Sequence, residues 1–335
     1  MEILSQVHSK ALLAYGKENS KTLLLTADLT DSCEAGAFRD AYPERFISCG
    51  IAEQNMLSLA GGLSREGFIP MIHTFAVFIY RRAYDQLAMS VAYPNANVKM
   101  FGFLPGVTTP GGATHQAIED TAVMRSLPNM TVFEAGDATE AEALVKLAAE
   151  TPGPVYVRAL RGELARLFKK EEGVKLDTPK IISQGKDITF ISSGICTEEV
   201  MRAAARIREK GLSVMHVHIS TLKPFNNPVI NDILSAPKYG IVTVENHTVI
   251  GGLGSIIEER AAQAGIAKRI IKLGLQDTFS HGASKAHLMK HHGFDAAGVI
   301  SAAEKLTGEK LGISEESLAQ VRIEAVHSEA KPEAL

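Results

Sequence analysis

Arg45-Phe-Ile-Ser-Cys-Gly-Ile-Ala-Glu-Gln-Asn-Met-Leu-Ser-Leu-Ala-Gly-Gly62 is the stretch from which the rest of the chain can be read. Residues 45–48 read as a short strand that Gly50 ends. From Ala52 the apolar Met56, Leu59, Ala60 and Leu63 recur at helical spacing. Glu53 therefore stands in the first turn of a helix that leaves the carboxyl end of a strand, the place where ligands bind in α/β sheets. The helix dipole alone also favours an acidic residue there. Spacing leaves both readings of Glu53 open.

The same strand-then-helix alternation runs outward from this point. Before it, the spacing predicts an opening helix over 3–15 and a strand over 22–27, whose nearly continuous apolar run suits a parallel sheet covered on both faces. After it come a strand near 68–73, a helix from His73 through Met89, a strand over 98–103 and a Gly/Pro/Thr-rich loop over 104–114. A helix from His115 to Leu127, a strand over 130–133, a helix over 138–150 and a strand over 155–159 complete the first unit. Residues 162–186 are charged, poorly periodic and punctuated by Gly and Pro, and read as a surface linker. A second alternation follows, with strands near 188–192, 213–218, 241–245 and 270–273 and helices near 198–210, 228–235 and 254–264. The glycines of Val244-Glu-Asn-His-Thr-Val-Ile-Gly-Gly-Leu-Gly254 read as tight strand-to-helix turns in preference to a phosphate cradle. Lys290-His-His292 reads as solvated surface, and a polar helix and loose tail (329–335) end the chain. The expected class is α/β, with two consecutive doubly wound, mostly parallel-sheet domains: 1–161, a linker 162–186, 187–312, and a terminal helix and tail 313–335.

Composition sets the outer bounds. A chain of 335 residues ordinarily makes two domains, and 45% hydrophobic with 22% charged residues is enough to bury a sizeable core. A net charge of −3 leaves no basic footprint for nucleic acid and no polybasic membrane patch. Cys33, Cys49 and Cys196 have no paired spacing, so neither a disulfide scaffold nor a zinc site is expected. The first residues lack the pattern of a signal peptide, and no apolar run is long enough to span a bilayer. The expected location is the cytoplasm.

Gly50-Ile-Ala-Glu-Gln-Asn-Met56, with Asp28-Leu-Thr before it and Thr74-Phe-Ala-Val-Phe78 after it, resembles the transketolase-like, thiamine-diphosphate-dependent enzymes. The resemblance covers about residues 1–310 and implies a pyrimidine-binding domain followed by a transketolase C-terminal domain. It implies that Glu53 is the cofactor-activating glutamate, holding a proton at the aminopyrimidine ring, and that Phe78 is the stacking face. Phe75, Asp28 and Arg81 are implied as further cofactor contacts. Gly-Ala-Thr-His-Gln before Ile-Glu-Asp resembles the family's substrate loop, which implies a hydroxyl-steering, catalytic role for His115. Arg161, and Ser32 with it, would grip the phosphate or other terminal anion of the substrate. Arginine suits that task because its fork binds oxyanions through paired N–H groups.

The sequence also departs from the family. The Gly-Asp-Gly and following Asn that bind the diphosphate and its metal have no match here, and Gly136-Asp137 is followed by Ala138. A hard cation such as Mg²⁺ needs placed oxygen ligands beside the phosphates. The resemblance therefore implies one subunit of a split enzyme. A separately encoded N-terminal-half partner would hold the diphosphate and Mg²⁺, and the pair would assemble into a heterotetramer. Thr109-Pro-Gly-Gly-Ala113 stands where many relatives carry Gly-Pro-Asp-Gly, and Ser5 stands where relatives use an arginine. Transfer of a two-carbon ketol unit from a ketose phosphate to an aldose phosphate, as in pentose phosphate metabolism, is the expected reaction. The donor stays open, a branched or otherwise modified anionic ketose included.

Three other readings share parts of this pattern. A 2-oxo-acid dehydrogenase β subunit has the same domain pair, but Ile-Ala-Glu-Gln-Asn, Thr-His-Gln and Leu-Arg-Gly fit the sugar-phosphate branch better. A one-chain deoxyxylulose phosphate synthase would carry its own diphosphate domain. A non-catalytic regulatory module on the same scaffold would have no reason to keep Glu53, Phe78 and Arg161 together.

Overall fold

The computed structural model describes residues 2–327; the expected tail at 329–335 lies outside them. Two mostly parallel sheets carry the chain. In the first, the strand order is Thr221–Lys223, Thr131–Glu134, Val155–Ala159, Lys99–Phe103, Ile69–Phe75, Thr22–Thr26, Phe46–Ser48. All neighbours are parallel except the Thr221–Lys223 edge, which the second half of the chain lends to the first. Thr22–Thr26, Lys99–Phe103 and Val155–Ala159 are buried along their whole length, which is why they read as continuous runs. The second sheet runs Ile270–Leu275, Gly240–Thr248, Ile188–Ser192, Val214–His218, Lys180–Ser183, with only the last strand antiparallel. The α/β class and the two parallel-sheet units match the expectation.

Several segments differ from their sequence reading. Residues 3–5 form a strand against Glu163–Ala165, and the first helix is Val7–Glu18, entered through Gln6 in the left-handed region at φ 54°. The segment 162–186 is built into the fold: it holds Glu163–Ala165, the edge strand Lys180–Ser183 and the buried Leu167 and Phe168. The expected helix from His73 to Met89 is broken. Its strand runs on to Phe75, one helix spans Ala76–Arg81, and another starts at Tyr84 and passes into a π-helical Leu87–Ala92. The helix expected from His115 begins only at Asp120, leaving 115–119 in the loop. Helices Lys285–His291 and Ala296–Thr307 went unread, and Lys290 and His291 are exposed on the first of them.

Buried polar bonds hold the two units together. Fully buried Arg158 pairs with Asp120 and Glu134 of its own unit and donates to the Asn246 carbonyl of the other at 2.9 Å. Glu140 accepts from Gly136 N at 2.9 Å, Ser220 Oγ at 2.6 Å, His218 Nε2 at 2.9 Å and Lys180 Nζ at 2.9 Å. Burial alone would raise its carboxyl, but His218 and Lys180 hold it below the usual carboxylate range. Glu245 fills the turn over 251–254, accepting from Leu253 N at 2.6 Å and Gly254 N at 2.9 Å. A Cβ on Gly252 would overlap that carboxylate. The amides a phosphate would need are thus taken by the chain itself.

Candidate active site

Strand Phe46–Ser48 ends at Gly50, whose φ of 64° turns the chain into the Glu53–Arg65 helix. Met56, Leu57 and Ala60 bury one face of that helix, and this packing fixes Glu53 at its start. The Glu53 side chain is only 4% exposed, and it accepts a hydrogen bond from Arg82 Nη1 at 2.8 Å. The guanidinium of Arg82 lies over the Phe78 ring, 3.8 Å from its centre. Phe78 in turn stacks on Phe75, with centroids 5.8 Å apart and an interplanar angle of 28°.

His115 closes this row edge-on, 5.6 Å from Phe78 and 6.3 Å from Phe75, and its Nδ1 is 2.9 Å from the Thr114 hydroxyl. A Cβ at Gly111 would press on His115 Cβ at 2.9 Å, so the loop position without an acidic side chain is also one with little room for any side chain. Arg161 reaches the far end. Its Cζ lies 5.7 Å from the Phe75 centre and its Nη1 donates to Ser32 O at 2.7 Å. Glu53, joined to Phe78 through Arg82, thus forms one connected line with Phe75, His115, Arg161 and Ser32 along the carboxyl edge of the first sheet, drawn from more than half of the first unit's sequence.

Two expected cofactor residues stand outside that line. Arg81 is turned the other way: it makes paired bonds of 2.6 Å to Glu119 and donates to Ala113 O at 2.8 Å and Gln116 O at 3.2 Å. Its guanidinium therefore anchors the loop that carries His115. Asp28 is exposed at the end of its strand with φ 58°. Among the described residues, no hydrogen bond or ring contact ties it to the cluster.

Two contributors had no role assigned from the sequence. Arg82, which helical spacing sets on a face adjacent to those of Phe75 and Phe78, is the partner of Glu53. Lys285, from the second unit, lines a crevice of about 480 Å³ with Arg161, Thr108, Leu104 and Ile195. No local pattern marks a lone lysine as facing another domain.

Residues 4–166 match the transketolase pyrimidine-binding domain and residues 178–299 the transketolase C-terminal domain. The chain belongs to the transketolase family. It is 34% identical over 309 residues to the 6-deoxy-6-sulfo-D-fructose transketolase subunit of Clostridium sp. (strain MSTE9), covering 92% of this chain and 95% of that one. It is 32% identical over 296 residues to an apulose-4-phosphate transketolase subunit of Phocaeicola vulgatus, covering 87% and 93%. Among solved structures it resembles a split gene transketolase described as an inactive beta4 tetramer, with a TM-score of 0.83 and 37% identity over 91% of this chain and 98% of that one.

Proposed function

We propose that this chain is the pyrimidine-binding subunit of a two-subunit, thiamine-diphosphate-dependent transketolase that moves a ketol unit between anionic sugars. The observation that carries this reading is the line from buried Glu53 through Phe78, Phe75 and His115 to Arg161. Those residues fit one half of the cofactor. Phe78 offers an aromatic face, and Glu53 a carboxyl that can hold a proton at the edge of a stacked ring. Among the described residues, no group of three or more His, Cys, Asp or Glu is placed to hold a metal ion. We assign the diphosphate and Mg²⁺ to a separately encoded partner.

When bound, thiamine diphosphate supplies the carbon nucleophile that carries a two-carbon fragment from ketose to aldose. The chain's own residues do the rest. Glu53 holds and returns the proton at the ring nitrogen. His115, fixed edge-on to the two phenylalanines, donates to or accepts from substrate hydroxyls. Beyond its bond to Ser32 O, Arg161 has donors without a partner among the described residues, and these meet the substrate's terminal anion. Gly111 removes one acidic contact from the donor side, consistent with a substrate other than the common pentose phosphates. Two relatives carry the names of such sugars, 6-deoxy-6-sulfo-D-fructose and apulose 4-phosphate.

Apolar exposure supports the partner. Ile51, two residues before Glu53, is 73% exposed, and Tyr93, at the end of the π-helical turn packed on the Glu53 helix, is 79% exposed. We read these two exposed side chains, which flank the start of the Glu53 helix and the turn packed on it, as the side a partner would cover. We assign assembly, as a heterotetramer, to that side. The free cysteines accompany the cytoplasmic assignment, and among the described residues no helix is long and apolar enough to cross a membrane. The test is to assay ketol transfer with the chain alone, with a diphosphate-binding subunit alone, and with both. Activity is expected only in the mixture; thiamine-dependent turnover by the isolated chain would contradict the reading.

A further inference from the structure

We propose that Arg82 is an internal stand-in for the aminopyrimidine ring, a flat cation that fills the ring's place until the cofactor displaces it. The inference rests on the functional reading above, since it takes Glu53 and Phe78 as the two surfaces that hold the ring. A guanidinium is planar, carries its N–H donors in its own plane and stacks on aromatic faces. An aminopyrimidine shares that shape, a flat heteroaromatic with hydrogen-bonding groups at its edge. Arg82 makes both of the contacts required of the ring: its Nη1 donates to Glu53 at 2.8 Å, and its Cζ lies 3.8 Å from the centre of Phe78. Side chain and ligand cannot occupy that face together.

The local backbone suits a side chain that must leave. Helix Ala76–Arg81 has ended and the next helix starts only at Tyr84, so Arg82 sits at a break. Its side chain is 47% exposed while that of Glu53 is 4% exposed. The guanidinium can swing into water, whereas the carboxylate cannot. That asymmetry gives the contact a purpose. A buried carboxylate without a partner is strongly disfavoured, and Arg82 covers Glu53 whenever the ring is absent. Arg81 cannot serve instead, because Glu119 and two loop carbonyls hold it.

The test uses the assembled two-subunit enzyme. Thiamine diphosphate with Mg²⁺ is mixed with wild type, Arg82→Ala and Arg82→Lys, and binding is followed by stopped-flow circular dichroism. If the covered form holds about nine molecules in ten, Arg82→Ala should raise the association rate and the affinity about tenfold and leave dissociation unchanged. Arg82→Lys keeps the charge without the flat face and should fall between the two. Faster dissociation from Arg82→Ala would mean that Arg82 holds the cofactor, and would overturn the inference, as would equal rates in all three proteins.

A second arm needs no cofactor. Urea midpoints of the single chain are measured for Arg82→Ala, Glu53→Gln and the double variant. Arg82→Ala should lower the midpoint when Glu53 is present and leave it nearly unchanged in the Glu53→Gln background; simple additivity would overturn the inference. If the wild-type assembly binds no thiamine diphosphate, the functional reading fails and takes this inference with it. Binding that Arg82→Ala does not accelerate overturns the inference alone.

Discussion

Glu140 and Glu53 are both buried carboxylates near the start of a helix, yet the protein treats them in opposite ways. Glu140, at the junction of the two units, is ringed by a backbone amide, a serine hydroxyl, a histidine and a lysine. Glu53 has one side-chain hydrogen bond among the described residues, from an arginine that is itself half in water. Satisfying every lone pair of a buried anion makes architecture. Leaving it one displaceable partner keeps it available for something else. Burial is common to both; only the set of donors separates scaffold from site.

The sharpest contrast should come from removing the scaffold carboxylate. Glu140→Ala would take the shared carboxylate from Lys180, His218 and Ser220, leaving Lys180 only the Gly173 carbonyl, and a broken buried pair costs about 3–5 kcal/mol. Urea unfolding should show that loss; a change below about 1 kcal/mol would place Glu140 among ordinary surface ion pairs. The charge also has a pH signature. Its carboxyl is held below the unfolded value, so the stabilisation is present above that value and is lost as the pH falls through the acid range.

At the site the effects should appear in binding instead. On the proposed role of Arg161, Arg161→Ala would remove a charged contact to the substrate's terminal anion, worth about 1.5–3 kcal/mol. In the assembled enzyme the KM for anionic sugars should rise about ten- to a hundredfold, with much smaller changes for neutral analogues. Equal losses on both would make Arg161 a prop for the Ser32 loop.

A third region lies between these extremes. His8 and His73 are buried with Nε2 atoms 2.8 Å apart, behind the strand that delivers Phe75. Burial holds both below their ordinary value, His73 down to about 3, and the His8 imidazole is lowered further by its neighbour. Each must stay neutral to fold. Their stabilisation is therefore complete above the unfolded value of 6.5 and falls away below it, each by up to about 1.4 kcal/mol per pH unit. Unfolding measured between pH 7.5 and pH 5 should steepen accordingly, and His73→Gln should flatten the slope. An unchanged slope would mean the pair is hydrated. Smallest is Phe78→Ala, which removes a stacking face worth about 1 kcal/mol beyond burial. Cofactor affinity should drop more than the melting temperature of the cofactor-free chain; equal losses would make Phe78 a core residue only.

The fold was legible where an element carries its own pattern. Residues 155–159 and 188–192 are uniformly buried runs, 138–150 is a helix with one buried face, and all three boundaries match those of the structure. Legibility failed where a partner elsewhere decides. Thr221–Lys223 is a strand only because Thr131–Glu134 offers an edge, and residues 162–186 are ordered by strands that lie far away in sequence. At the site, the motif residues on the carboxyl edge were readable through resemblance. Arg82 was legible by position, four residues after Phe78 and so on a neighbouring helical face, but the cofactor contact was assigned by resemblance to Arg81, which Glu119 holds instead. Lys285 enters from the other domain and leaves no local trace.

Glu53→Gln tests the centre of this reading most directly. In the assembled enzyme, thermal unfolding and ketol transfer are measured side by side with saturating thiamine diphosphate. Gln can still hydrogen-bond the ring but cannot supply a proton, and Arg82 can remain in water without its acceptor. The melting temperature should stay close to wild type while turnover falls about 10²–10⁴-fold, the range expected for a lost proton-transfer group. Turnover within about tenfold of wild type, a difference of roughly 1.4 kcal/mol in the barrier, would reduce Glu53 to a residue that caps its helix.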